Sequence, residues 1–76
     1  MRDEAVVGCT GSVVLEIGGS DDPGEVYVSV RGGGEPFLAY APERLEIGTP
    51  VLVIDTRGER TVDVIAWQPP LLVPPG

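Results

Sequence analysis

Short segments in which apolar and polar residues alternate constrain the fold of this chain most strongly. The clearest is EVYVSVR (25–31), where three valines fall on one face and Tyr27, Ser29 and Arg31 on the other. A period of two residues is typical of a half-buried β-strand. No segment shows a convincing helical period, so the sequence predicts an all-β fold.

Four further segments have strand-like sequences, and turn residues separate them. The segment 6–17 contains Gly8 and Gly11, and glycine within a strand often marks a bulge or a tight bend. GGSDDPGE, GGG and RGER supply the glycine, aspartate and proline that favour chain reversal. The predicted strands beside 25–31 are 6–17, 35–41, 51–56 and 61–67.

The last three of these segments also predict which side chains are buried. In 35–41, Phe37 and two alanines share one face, while Leu38 and Tyr40 share the other. The segment 51–56 has apolar residues on both faces, which predicts a central strand. The segment 61–67 alternates through Val62, Val64 and Ala66, which we expect on its inner face.

Five strands in a chain of 76 residues predict a small barrel. A domain of this size buries only about 60% of the surface that its unfolded chain exposes, and a closed barrel removes exposed sheet edges. A glycine-bent first strand that pairs with two partners predicts a five-stranded, OB-fold-like Greek-key barrel. The main alternative is an SH3-like barrel. We expect one domain over residues 1–67, followed by a mobile, proline-rich tail at 68–76.

The link PERLEIGTP replaces the helix that OB folds usually place between strands three and four, and it has room for one turn at most. Its two prolines and three charges suggest either a binding loop or a simple connection. We expect Leu45 and Ile47 to be buried at the end of the barrel, with Glu43 and Arg44 in solvent. Trp67 is expected to cap the open end.

Charge and composition disfavour several functions. The formal net charge is −7, and all five basic residues are arginines. Because binding to phosphates depends on Lys and Arg, nucleic acid is not an expected partner, and anionic membrane surfaces should repel the chain. Without histidine, Ser-His-Asp and Cys-His arrangements are impossible. The sequence therefore predicts no catalytic residues, metal site or cofactor.

Weaker candidate sites each have a more ordinary interpretation. Asp55 and Asp63 could form an acid–base pair on neighbouring strands, although exposed strand carboxylates are the expected state. SDDPGE could offer oxygens to calcium, but it lacks the spacing of a calcium loop and suits a solvated turn. RGGG (31–34) is expected to be a hairpin tip. Cys9, the single cysteine, is expected to be a small buried side chain, and a lone thiol slightly favours a reducing compartment.

Three aromatic residues are the candidates for partner binding. Aromatic side chains are enriched at interface hot spots. We therefore predict partner contacts at Tyr27, Tyr40 and Trp67. PPLLVPP, near the end of the chain, could dock on a partner as an extended segment or serve as a linker end, and the linker is favoured.

The ordered set of landmarks resembles the C-terminal domain of NfeD-like membrane proteins. The matching elements are VVGCTGSVV, GEVYVSVRGG, FLAYA and LEIGTPVLVIDTRGERTVDVIAW, which together cover residues 6–67. The acidic GGSDDPGE insertion departs from the family pattern. The resemblance implies a five-stranded OB-type barrel that follows membrane helices in its parent protein.

The resemblance also implies a function. It points to a non-enzymatic protein–protein interaction module that acts with stomatin-, prohibitin- or flotillin-type scaffold proteins. On this basis the chain is expected on the cytoplasmic side of a membrane, soluble by itself and attached only through segments outside it. Homo-oligomerisation stays open. The alternative is an oligonucleotide-binding OB module, which the charge disfavours.

Overall fold

The computed structural model describes residues 4–68, in which a short 3-10 helix leads into five strands. The described residues contain no α-helix, and the all-β prediction is confirmed. The elements are the 3-10 helix Glu4–Val6, β1 (Thr10–Leu15), β2 (Gly24–Val30), β3 (Gly33–Tyr40), β4 (Pro50–Gly58) and β5 (Thr61–Ala66).

The strands form a closed barrel in the order β1-β2-β3-β5-β4, with β4 pairing back onto β1. Every pairing is antiparallel except that of β3 with β5. Residues 41–49 join β3 to β4 without a helix. The predicted five-stranded, OB-fold-like barrel with a reduced link is therefore confirmed. The predicted tail lies outside the described residues.

Strand β1 closes the barrel at Gly11. This residue pairs with Val28 of β2 and with Val51 of β4. A methyl group at Gly11 would collide with the carbonyl oxygen of Tyr27, so only glycine lets the two strands approach this closely. The prediction that the first strand pairs with two partners is confirmed.

The strand begins later than the sequence suggested. Residues 6–9 form a turn in which the amide of Cys9 donates to the carbonyl of Val6 at 3.0 Å. Gly8 has a φ of 92°, which interrupts an extended strand. Val6 is buried, and the 3-10 helix contacts β2 and β4, so this segment closes one end of the barrel.

The core consists of apolar side chains, most of them valines, and no polar or charged side chain of the described residues is buried. The alternation predicted for the second and third strands is confirmed: their inward residues are buried, apart from Val30, which is partly buried. Ala66 of β5 is exposed, contrary to its expected inward position. The buried residues are Val6, Val13, Ile17, Val26, Val28, Phe37, Ala39, Ala41, Leu45, Val51, Val53, Val62 and Val64.

The link between β3 and β4 closes the other end of the barrel. Leu45 forms two backbone hydrogen bonds with Ile17, at 2.9 and 3.0 Å, and both side chains are buried. The prediction for Leu45 is confirmed, but that for Ile47 is wrong, because its side chain is 66% exposed. A tight turn explains this difference: the amide of Thr49 donates to the carbonyl of Glu46 at 3.1 Å, and Gly48 has a φ of 93°.

The two charged residues of the link and the following tryptophan also have defined places. Glu43 and Arg44 are exposed, as predicted, and Arg44 forms an ion pair with Glu16. Trp67 is only partly buried, and its amide donates to the carbonyl of Pro50 at 2.9 Å. The buried side chains at the two ends are those of Val6, Ile17 and Leu45, so Trp67 does not have the capping role that we expected.

We predict that Leu45→Ala destabilises the barrel and Ile47→Ala does not. Leu45 is buried, and truncation of a buried leucine costs about 2–5 kcal/mol, whereas exposed positions stay within about 0.5 kcal/mol. Urea denaturation followed by circular dichroism measures both variants. Equal losses of stability would contradict the end-closing role of Leu45.

A second prediction concerns the β4–β5 hairpin, whose two-residue turn is made by Glu59 and Arg60. Both have positive φ, 53° and 58°, a conformation that ordinary residues adopt at a cost and that asparagine tolerates. Glu59→Asn should raise the free energy of unfolding by up to about 1 kcal/mol. Glu59→Ala is the matched control, since it removes the same side chain but keeps the conformational cost of the positive φ. A gain of equal size in both variants would mean that the charge of Glu59, rather than the backbone, is responsible.

Candidate functional site

Two β-bulges in β4 determine which of its side chains face outward. Opposite β5, the register passes from Val53↔Val64 to Asp55↔Asp63 and later from Thr56↔Val62 to Gly58↔Thr61. Ile54 and Arg57 are the extra residues at these two steps. Because bulges redirect side chains and interrupt the ladder, they are frequent near functional sites.

The first bulge keeps a charge out of the core. Strict alternation after Val51 and Val53 would direct Asp55 inward, where an isolated carboxylate is very costly. With the bulge, Asp55 is exposed, and Ile54 lies on the outer surface with 47% of its side chain accessible. The prediction that 51–56 forms a central strand is confirmed, since β4 pairs on both sides. Its outward face is nevertheless exposed at Ile54.

The second bulge carries Arg57, which bridges β5 and β3. Its Nε and Nη2 donate to the two carboxylate oxygens of Asp63, at 3.1 and 2.8 Å. Its guanidinium carbon lies 3.9 Å from the centre of the Tyr40 ring. The hydrogen bonding to Asp63 raises the pKa of Arg57 above its ordinary value, and the charge of Asp55 adds to this. Arg57 is thus a permanently charged side chain that contacts both Asp63 and Tyr40.

These residues line a surface groove with a volume of ≈ 330 Å³, which we call the Tyr40 groove. Its wall combines apolar groups with the ion pair and with Asp55, whose Oδ1 accepts a 2.8 Å hydrogen bond from the amide of Thr56. The groove spans β3, β5 and β4 as well as two loops. The lining residues are Ser20, Tyr40, Ala41, Pro42, Ile54, Asp55, Arg57, Asp63 and Val64.

The family of the chain follows from comparison with known proteins. A model of the NfeD C-terminal domain matches residues 10–65, which include all five strands except Ala66, the last residue of β5. The chain belongs to the NfeD C-terminal domain family. The comparison with curated proteins found no match.

Two solved structures resemble this NfeD C-terminal domain over most of its length. One is the C-terminal domain of stomatin operon partner protein 1510-C from Pyrococcus horikoshii, with 28% identity and a TM-score of 0.66. That match covers 91% of this chain and 98% of the other. The other is the soluble domain of the NfeD protein YuaF from Bacillus subtilis, with 28% identity and a TM-score of 0.70. It covers 83% of this chain and 75% of the other.

The three aromatic candidates of this NfeD domain do not form one site. Tyr27 is exposed on β2 opposite Pro36, and its ring covers Gly34. Tyr40 lies opposite Asp63 in the groove, and Trp67 follows β5 beside Pro50. Partner binding by these three residues stays a prediction, and of the three only Tyr40 lines the groove.

The two carboxylates considered as an acid–base pair do come together. Asp55 and Asp63 are opposite each other on β4 and β5. Both carboxylate oxygens of Asp63 accept hydrogen bonds from Arg57, and Asp55 is exposed. This is the arrangement of a surface ion pair rather than of two carboxyl groups in an apolar pocket.

The remaining candidates occupy turns and the edge of the core. The acidic loop is closed by backbone hydrogen bonds between Gly18 and Asp22 (2.8 Å) and between Asp22 and Gly19 (3.3 Å). Within residues 4–68, no group of three or more His, Cys, Asp or Glu side chains could hold a metal ion. RGGG is a hairpin tip, as predicted, since Val30 pairs with Gly33. Cys9 is partly buried against the core.

One exposed apolar patch was not anticipated from the sequence. Leu15 is 57% exposed at the end of β1, beside the exposed Val14. Leu15 and the exposed Ile47 each lie, along the chain, between the backbone pairs Ile17↔Leu45 and Ser12↔Pro50. We call Val14, Leu15 and Ile47 the Leu15 patch. Residues 4–68 contain no helix that could span a lipid bilayer.

We predict opposite effects of neutralising the two aspartates. Like charges directly opposite each other on neighbouring strands are destabilising, so Asp55→Asn should stabilise the domain by about 0.2–1 kcal/mol. Asp63→Asn removes the ionic partner of Arg57 and should destabilise it. Thermal unfolding at low and high salt measures both, and both effects should shrink at high salt. Stabilisation by Asp63→Asn would contradict the described ion pair.

Proposed function

We propose that this domain is a non-enzymatic protein–protein interaction module of an NfeD-like membrane protein, acting with a stomatin-type scaffold protein. The observation that carries this proposal is the similarity to the C-terminal domain of a stomatin operon partner protein, which extends over 98% of that chain. Family membership over residues 10–65 supports the same proposal.

The surface of the barrel supports a binding role. The Tyr40 groove combines exposed apolar area with a tyrosine and an arginine, two of the residue types that contribute most at protein interfaces. The groove is a surface depression rather than a deep pocket, which suits a protein segment better than an enclosed small molecule.

The parent protein's membrane segments would hold the domain beside its scaffold partner. The soluble domain of the NfeD protein YuaF supports this arrangement by similarity. We propose the cytoplasmic side, for which the single free cysteine is a modest argument, because reduced thiols are usual in that compartment.

Oligonucleotide binding is the second candidate function, because OB-type barrels often bind single strands. The formal net charge of −7 opposes it, since phosphate binding requires clustered Lys or Arg. The Tyr40 groove contains one arginine, Arg57, and Asp63 neutralises it.

Direct binding measurements test the proposal. The chain is immobilised, and purified stomatin-, prohibitin- and flotillin-type proteins from the same organism are passed over it by biolayer interferometry. We expect saturable binding of at least one. A basic protein without relation to stomatin controls for charge attraction alone.

Two results would contradict the proposal. If the chain binds none of these scaffold proteins, the proposed partner is wrong. Binding of single-stranded DNA with an affinity that falls steeply with salt would favour the oligonucleotide function instead.

A further inference from the structure

We propose that the Tyr40 groove is the partner-binding surface of this domain and that it accepts an extended segment in which an apolar residue is flanked by Lys or Arg. This inference rests on the proposed protein-binding function and adds the site and the chemistry of the occupant. Three features carry it: an apolar surface, an ordered aromatic–arginine pair and an acidic rim.

The apolar surface comes from a residue that the fold itself leaves outside. Ile54 is 47% exposed because the bulge that turns Asp55 outward leaves the isoleucine on the same side. Tyr40 and Pro42 continue this surface at the start of the link. An apolar side chain placed here would shield these groups from water, which is the main source of interface stability.

The aromatic–arginine pair is already ordered before a partner arrives. Arg57 stacks on Tyr40 at 3.9 Å while both of its hydrogen bonds to Asp63 are made. A side chain that is fixed in advance loses less conformational entropy on binding. Tyrosine and arginine are also enriched among interface hot spots. The groove therefore presents an aromatic–arginine pair whose contacts are already made within the domain.

The charges around the groove select a basic occupant. Arg57 directs its guanidinium to Asp63, which leaves Asp55 exposed at the rim. Asp21 and Glu43, next in sequence to the lining residues Ser20 and Pro42, are also exposed. With a net charge of −7 on the whole chain, acidic segments and second copies of the chain are repelled, and basic segments are attracted.

The Leu15 patch provides the matched comparison. Leu15 and Ile47 are more exposed than Ile54, and Val14 is slightly less exposed, at 43%. Glu16, next in sequence to Leu15, pairs with Arg44. Ile47 can therefore be changed to test whether exposed apolar area alone is sufficient for binding.

The first experiment uses two synthetic peptides and the isotopically labelled chain. The peptide GKLKVKG places apolar residues between lysines, and GELEVEG is its acidic counterpart. We expect amide chemical shifts of Tyr40, Ile54 and Asp63 to change with the basic peptide only, and less so at high salt. Equal responses to both peptides, or changes centred on Leu15 and Ile47, would overturn the proposal.

Matched variants extend the test to the protein partner. Ile54→Ser should weaken binding of the scaffold protein and of GKLKVKG by about tenfold or more, whereas Ile47→Ser should leave both within about twofold. Both residues are exposed. Amide spectra that match those of the unmodified chain would establish that both variants fold. Asp55→Asn should reduce the salt dependence of binding.

The outcomes separate this inference from the proposed function. Scaffold binding that is insensitive to Ile54→Ser overturns the groove assignment and leaves the proposed function intact. Failure of the chain to bind any scaffold protein, together with a specific response to GKLKVKG, contradicts the scaffold partner but supports the groove. Self-association of the chain that Ile54→Ser abolishes would show that a second copy is the occupant and overturn the proposal.

Discussion

Closure of the barrel depends on the close approach of β1 and β2 at Gly11. A strand of six residues pairs there with β2 on one side and β4 on the other, because no side chain stands between its backbone and the carbonyl of Tyr27. Closure in turn allows a core made largely of valine to be shielded on all sides. Small β-branched side chains suit the narrow interior of a five-stranded barrel, and eight of the thirteen buried core residues are valines.

The alternation of apolar and polar residues predicted β2 and β3, whose register with each other has no bulge. The inner valines of β2 and the inner Phe37 and Ala39 of β3 could be assigned from alternation alone, because a period of two fixes the buried face. The reduced link and its buried Leu45 followed from the lack of room for a helix. The glycines of the first segment predicted a bent strand with two partners.

The candidate site could not be predicted in the same way, because it depends on two register shifts. Nothing in VLVIDTRG indicates that Ile54 and Arg57 are extra residues, since a bulge is defined by the partner strand as well as by its own. Tyr40 was selected for its residue type, but its contact with Arg57 joins residues of different strands. Ile47 was misplaced for a similar reason: the turn at Gly48 reverses the direction that its spacing from Leu45 suggested.

The parallel pairing of β3 with β5 has a consequence for how the domain holds together. Only three residue pairs form this ladder, and they join segments far apart in sequence, whereas β2–β3 and β4–β5 are local hairpins. Pairings between distant segments form at a greater entropic cost, so we expect this seam to form after the two hairpins. Tyr40 lies on β3, on one side of the seam, and Arg57 and Asp63 lie on the other side. The contacts of Arg57 with Tyr40 and Asp63 therefore connect the two hairpins on the outer surface of the barrel. A molecule lying across the same residues would hold the two hairpins together, so its binding free energy would also oppose opening of the barrel.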